Sequence, residues 1–205
     1  MLLERAGKRK ECANQILKEL SLLERWSRIG EVYVVGAYAY DLMVDYDIDI
    51  EVFCDKPSAN QVFTMLAEVA DHPQIVDITY HNYLNESFNG LYFKILFKND
   101  DLEVWNIDMW LFPKSHKGPL SRDLVKDMQY SLTDESRTHI LSIKEELSKR
   151  DLTCPSIFVY QAVLEDGIEN NEQFYDWLAD QDITQWTHWK PERKGEKHNG
   201  DQKAD

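Results

Sequence analysis

Cationic side chains are scarce in this sequence: 23 lysines and arginines face 37 aspartates and glutamates, for a net charge of −14. A protein that grips a long nucleic acid normally offers a basic face to the phosphates. Here the nearest basic cluster, Lys190-Pro-Glu-Arg-Lys194, sits in a polar tail, so a long nucleic-acid substrate is not expected. Cysteine is sparse too. Cys12, Cys54 and Cys154 are odd in number, far apart and match no zinc or redox spacing, which points to a reduced, cytoplasmic compartment. The six histidines are scattered without metal-ligand spacing. No apolar run approaches the roughly 20 residues that cross a bilayer, so no membrane partner is expected. The start, Met1-Leu2-Leu3-Glu4-Arg5, has only two leucines before charge begins, unlike a secretory signal.

What is present suits a globular chain: 43% hydrophobic and 12% aromatic residues over 205 positions. That length buries one sizeable core, or an α/β core with a helical appendage. Residues 8–28 repeat apolar side chains at helical steps, ending at Gly30. Val32-Tyr33-Val34-Val35 reads as a strand broken by Gly36, and 47–53 alternates charged and apolar residues as a second strand. Ser58 is placed to cap a helix. Strands are expected at 75–80, 91–97 and 104–112, the last two as a hairpin. From Pro119 the pattern is helical only, at 120–132, from Thr133 to about 149, from Pro155 to near Gly167, and from a cap at Asn171. The organisation expected is an α+β domain at 1–114, with a mixed sheet flanked by helices. A small helical bundle at 115–181 and a flexible tail at 182–205 follow.

Asp47, Asp49 and Glu51 share one face of their strand, with neighbours about 7 Å apart. Carboxylates so spaced suit a divalent cation, and without one their charges raise each other's pKa. Taken alone, such a strand also fits the solvated face of an antiparallel sheet. Asp108 sits in the otherwise apolar run 104–112, where a carboxylate needs a hydrogen-bond partner, a cation or solvent. Local hydrogen bonding and a third metal ligand both meet that need. Gly36 ends a strand eleven residues before Asp47, where the missing side chain lets backbone amides approach a phosphate.

Val34-Val35-Gly36-Ala37-Tyr38-Ala39-Tyr40 followed by Asp47-Ile48-Asp49-Ile50 resembles the signature of the nucleotidyltransferase superfamily, which includes DNA polymerase beta and the aminoglycoside nucleotidyltransferases. The resemblance covers roughly residues 30–112. It implies that Asp47, Asp49 and Asp108 are catalytic and hold two Mg²⁺ ions, with Mn²⁺ as an alternative. Gly36, Ala37 and Tyr38 would contact the triphosphate. The reaction implied is transfer of a nucleoside monophosphate, AMP from ATP, to a hydroxyl of a small-molecule acceptor, and a homodimer would be compatible. Two positions depart from the pattern. Ala37 stands where a serine is usual, and Asp41 where a second glycine is expected. These departures keep open a fold that binds a nucleotide or protein partner without turnover.

Smaller candidates have plainer roles open to them. Glu51 suits a solvated or outer position, Lys94 a solvent-facing strand lysine, and His116 a surface loop. The Tyr38 hydroxyl is a substitute for the missing serine. Trp177 fits a helix core, and Trp186 and Trp189 either cover a pocket, meet a partner or dock on the bundle.

Overall fold

A computed structural model describes residues 1–184 and 187–192. The chain opens with α1 (Leu2–Glu19) and α2 (Leu22–Ser27), then runs β1 (Glu31–Val35), α3 (Gly36–Ala39), β2 (Asp47–Cys54), α4 (Ala59–Ala67), β3 (Ile75–Asn82), β4 (Leu91–Lys98) and β5 (Val104–Pro113). Four helices complete it: α5 (Arg122–Ser131), α6 (Asp134–Lys149), α7 (Ser156–Leu164) and α8 (Asn171–Leu178). The expected single helix over 8–28 is two helices, because Ser21 takes a left-handed conformation (φ 47°) and turns the chain. Asn170, rather than Asn171, caps the last helix by accepting from the Gln173 amide at 3.1 Å.

The five strands form one mixed sheet in the order β1-β2-β5-β4-β3. All neighbours are antiparallel except β2 and β5, which run parallel. Strand alternation sorts the residues onto two faces. Ile48, Ile50 and Val52, with Trp105, Ile107, Met109, Leu111, Phe93 and Ile95, point to one face and are buried against helices from the N-terminal half. That burial removes a large apolar area from water and anchors the register, since a one-residue slip would expose the whole set.

The opposite face carries the polar set. It is roofed by the C-terminal helices, whose own core gathers Met128, Ile140, Leu141, Ile143, Leu147, Val159 and Phe174. Trp189 packs partly against this bundle, and Ser131 Oγ donates to the Glu192 carbonyl at 3.4 Å. Residues 187–192 of the region expected as a tail therefore lie on the bundle, while Trp186 falls outside the described residues. Three side chains tie the roof to the end of α3 and the loop after it. Gln129 Nε2, Arg137 Nε and Lys144 Nζ donate to the carbonyls of Ala39, Tyr40 and Leu42 at 3.0, 3.3 and 3.1 Å. Among the described residues no helix is long and apolar enough to cross a membrane.

Candidate active site

The parallel pairing of β2 and β5 sets Asp49 directly opposite Asp108, and Asp47 opposite Asn106. Residues opposite one another in a ladder share a face. The three aspartates therefore lie on the face that the C-terminal helices cover, which is the grouping expected from the sequence. Asp47 accepts a hydrogen bond from Asn106 Nδ2 at 2.8 Å.

Gly36 completes the arrangement from the far edge. Its φ is +64°, and a Cβ there would stand 2.2 Å from Asp49 Oδ2. Only glycine allows the backbone to turn this tightly against the carboxylate. Burial is the main cause that pushes the Asp49 carboxyl up to about 7, with the charges of Asp108 and Asp47 adding to it and Lys144 opposing. Asp47 is raised in the same way, first by burial, although the Asn106 hydrogen bond lowers it.

Asp108 is held from the other side. Tyr92 OH donates to its Oδ1, and Lys94 Nζ lies 3.3 Å from the same oxygen. Lys94 is thus no solvent-facing strand lysine: it pairs with the central carboxylate across the β4–β5 ladder. Burial and the Asp108 hydrogen bond together push the Tyr92 hydroxyl upward, so it remains a donor. Among the described residues no three acidic, histidine or cysteine side chains already gather at coordination distance. The donor chemistry nevertheless fits a hard divalent cation. Three oxygen donors on one face carry unbalanced negative charge, and Asp108 need only exchange Lys94 for the ion.

Other expectations fare differently. The Tyr38 hydroxyl donates to Asn14 Oδ1 on α1 at 2.6 Å, and Lys10 lies over its ring, so that hydroxyl is not presented beside Gly36. Asp41 adds no bare negative charge near the turn, because Lys10 pairs with it at 2.5 Å. Glu51 is buried rather than solvated. It accepts the Ser121 and Arg122 amides at 2.9 and 3.0 Å, satisfying two donors at the start of α5. His116 is partly buried and bridges two loops.

Two cavities meet at Gly36 and Asp49. One, of about 220 Å³, lies towards the bundle and its lining includes Ala37, Tyr40, Asp45, Asp47, Lys144 and Tyr160. The other, of about 420 Å³, lies towards the C-terminal end of β2 and is lined mainly by Phe88, Trp110, Phe112, His116 and Pro119. A third space of about 610 Å³ continues the first through Ser121, Leu124 and Ile157 to Trp189. Lys144 was not anticipated. It sits among Ile140, Leu141, Ile143 and Leu147 on the buried face of α6, and a lysine on an apolar helix face is the signal that marks it.

Comparison with known proteins agrees with this geometry. Among curated proteins no sequence matches the chain. Solved structures do. Cid1 poly(U) polymerase bound to MgATP matches with 16% identity and a TM-score of 0.58, over 77% of this chain and 50% of that one. A cytoplasmic RNA terminal U-transferase matches with 14% identity and a TM-score of 0.55, over 76% and 47%. The chain thus spans about half the length of these relatives, and the likeness at this identity concerns the fold. A nucleotidyltransferase domain model matches residues 14–131, a span that holds Gly36, all three aspartates and more than half of the sequence, and the chain belongs to that family.

Proposed function

We propose that this chain is an enzyme that transfers AMP from ATP to a hydroxyl of a small-molecule acceptor. The observation that carries the reading is the placement of Asp47, Asp49 and Asp108 on one sheet face, with Gly36 against Asp49 at the junction of two cavities. Asp47, Asp49 and Asp108 would hold two Mg²⁺ ions, or Mn²⁺, and these supply charge neutralisation for the triphosphate and the attacking oxygen. Gly36 and Ala37 line the same space, and Lys144 brings a buried cation to it. The base then extends towards Trp189.

Asp108 receives the proton of the acceptor hydroxyl as its oxygen attacks the α-phosphorus. The bond to the bridging oxygen breaks in line, and pyrophosphate leaves. Tyr92 keeps Asp108 anchored through one carboxylate oxygen after Lys94 has given way to the ion. Positioning and charge carry the catalysis, as in other phosphoryl-transfer sites.

The cavity on the Trp110 side supports a small acceptor over a long nucleic acid, because none of its lining residues among those described is Lys or Arg. Incubation with α-labelled ATP, Mg²⁺ and a small-molecule extract tests the reading. Label should pass to a small product and pyrophosphate should form, with Asp49→Asn reducing both at least 100-fold. The missing serine at Ala37 favours a second reading, a protein that binds ATP without turnover. It predicts metal-dependent binding with no pyrophosphate from any acceptor pool.

A further inference from the structure

The row of side chains that begins at Asp49 and Asp108 continues through Lys94 to Thr79, on the last strand of the sheet. That strand, β3, pairs with β4 on one side, and among the described residues no element pairs with its other edge. A bulge between Ile75 and Asp77 bends its start, while from Asp77 to Asn82 the pairing with β4 is regular. Unpaired amides and carbonyls along such an edge are a template for a further strand unless charge or shape blocks it.

Here the side chains favour one particular strand. Asp77, Thr79 and His81 alternate onto the site face, with Asp77 and His81 exposed, and Ile78 and Tyr80 pack on the core side. The stretch is self-complementary. Let a second copy run antiparallel beside it, about a two-fold axis at Thr79. Asp77 of each copy then stands opposite His81 of the other, Thr79 meets Thr79, and Ile78 meets Tyr80 on the core side. Centring the axis on Ile78 instead sets Asp77 against Thr79, and centring it on Tyr80 sets Ile78 against Asn82. The His81 ring is already oriented by stacking on Tyr83 at 5.7 Å and Tyr92 at 6.0 Å, and it makes no hydrogen bond to a described residue. Phe63 adds apolar surface at the same margin: it is 45% exposed, and its ring packs on Tyr80 at 5.1 Å.

We propose that two copies of this chain join through their β3 edges, antiparallel and centred on Thr79, so that the two five-stranded sheets become one. The two-fold axis is perpendicular to the sheet, so both site faces look the same way. Five strand spacings separate the two Asp108 residues, roughly 24 Å. The interface forms with or without nucleotide.

Sedimentation velocity of the full chain, from micromolar to millimolar concentration, tests this assembly. A reversible monomer–dimer equilibrium is expected. His81→Asp sets like charges opposite each other twice and should weaken the dimer about tenfold or more. Adding Asp77→Lys to that variant restores opposite charges and should recover the parent affinity to within about threefold. Thr79→Cys should form a covalent dimer under mild oxidation, which the parent with Cys12, Cys54 and Cys154 should not. That variant decides the matter if the charge variants fail to fold. A chain that stays monomeric throughout overturns the proposal. So does a dimer indifferent to His81→Asp, a double variant as weak as the single one, or a dimer that Thr79→Cys does not cross-link.

Discussion

Lys94 and Asp108 stand directly opposite each other in paired strands, with the ammonium 3.3 Å from a carboxylate oxygen. A fixed monovalent cation and a divalent ion compete for the same negative charge. Lys94→Met should therefore tighten Mn²⁺ binding by roughly three- to tenfold, a difference of about 0.7–1.4 kcal/mol. Electron paramagnetic resonance titration without nucleotide measures it. Unchanged or weaker binding would show that Lys94 does not compete with the ion.

Gly36→Ala combines a strained backbone with a direct collision against Asp49. A loss of about 1–3 kcal/mol is expected, read as a fall in Tm of several degrees. Asp49 would also be displaced, so the variant should lose stabilisation by nucleotide and Mg²⁺. A variant as stable and as responsive as the parent would remove Gly36 from the site.

Asp49 makes stability depend on pH in a defined direction. Its carboxyl rises from an ordinary value of 3.8 to about 7 on folding, so the folded state holds the extra proton between those values. Stability without metal should fall as pH rises through that window, and the full penalty is present above it. Asp49→Asn abolishes this contribution. The Tm advantage of the variant should grow from pH 4.5 to 7.5 and then level off. An advantage that shrinks as pH rises would contradict the electrostatic account.

Glu51 is buried and serves two amides at the start of α5. Removing the acceptor leaves both donors without a partner, which costs about 1–3 kcal/mol each at most. Glu51→Ala should lower Tm by several degrees, and Glu51→Gln by less. Equal melting of the two variants would argue against a hydrogen-bonding role.

The features legible in the sequence were local ones. The alternation from Asp47 to Phe53, the lone carboxylate in the run around Asp108 and the glycine after β1 each follow from strand geometry, and they marked the face on which the three aspartates lie. What escaped depends on partners far along the chain. The parallel pairing of β2 with β5 has no local signature. Nothing near Glu51 announces amides 70 and 71 residues away, and nothing near Lys94 announces Asp108. Tyr38 misled because a hydroxyl in the right stretch of sequence faces α1 instead. Ser21 broke a continuous helical pattern through its own backbone conformation, which apolar periodicity does not report.

In the proposed reaction the three aspartates bind a nucleoside triphosphate together with a divalent cation. Thermal unfolding with ATP, GTP, CTP and UTP, each with and without Mg²⁺, tests it most directly. Ligand at about 100 times its Kd stabilises by roughly 2.7 kcal/mol, or about 5–10 °C in a chain of this size. A shift of that order is expected with ATP and Mg²⁺ together, little with either alone, and none in Asp49→Asn. No shift with any triphosphate and metal at millimolar concentration would contradict it.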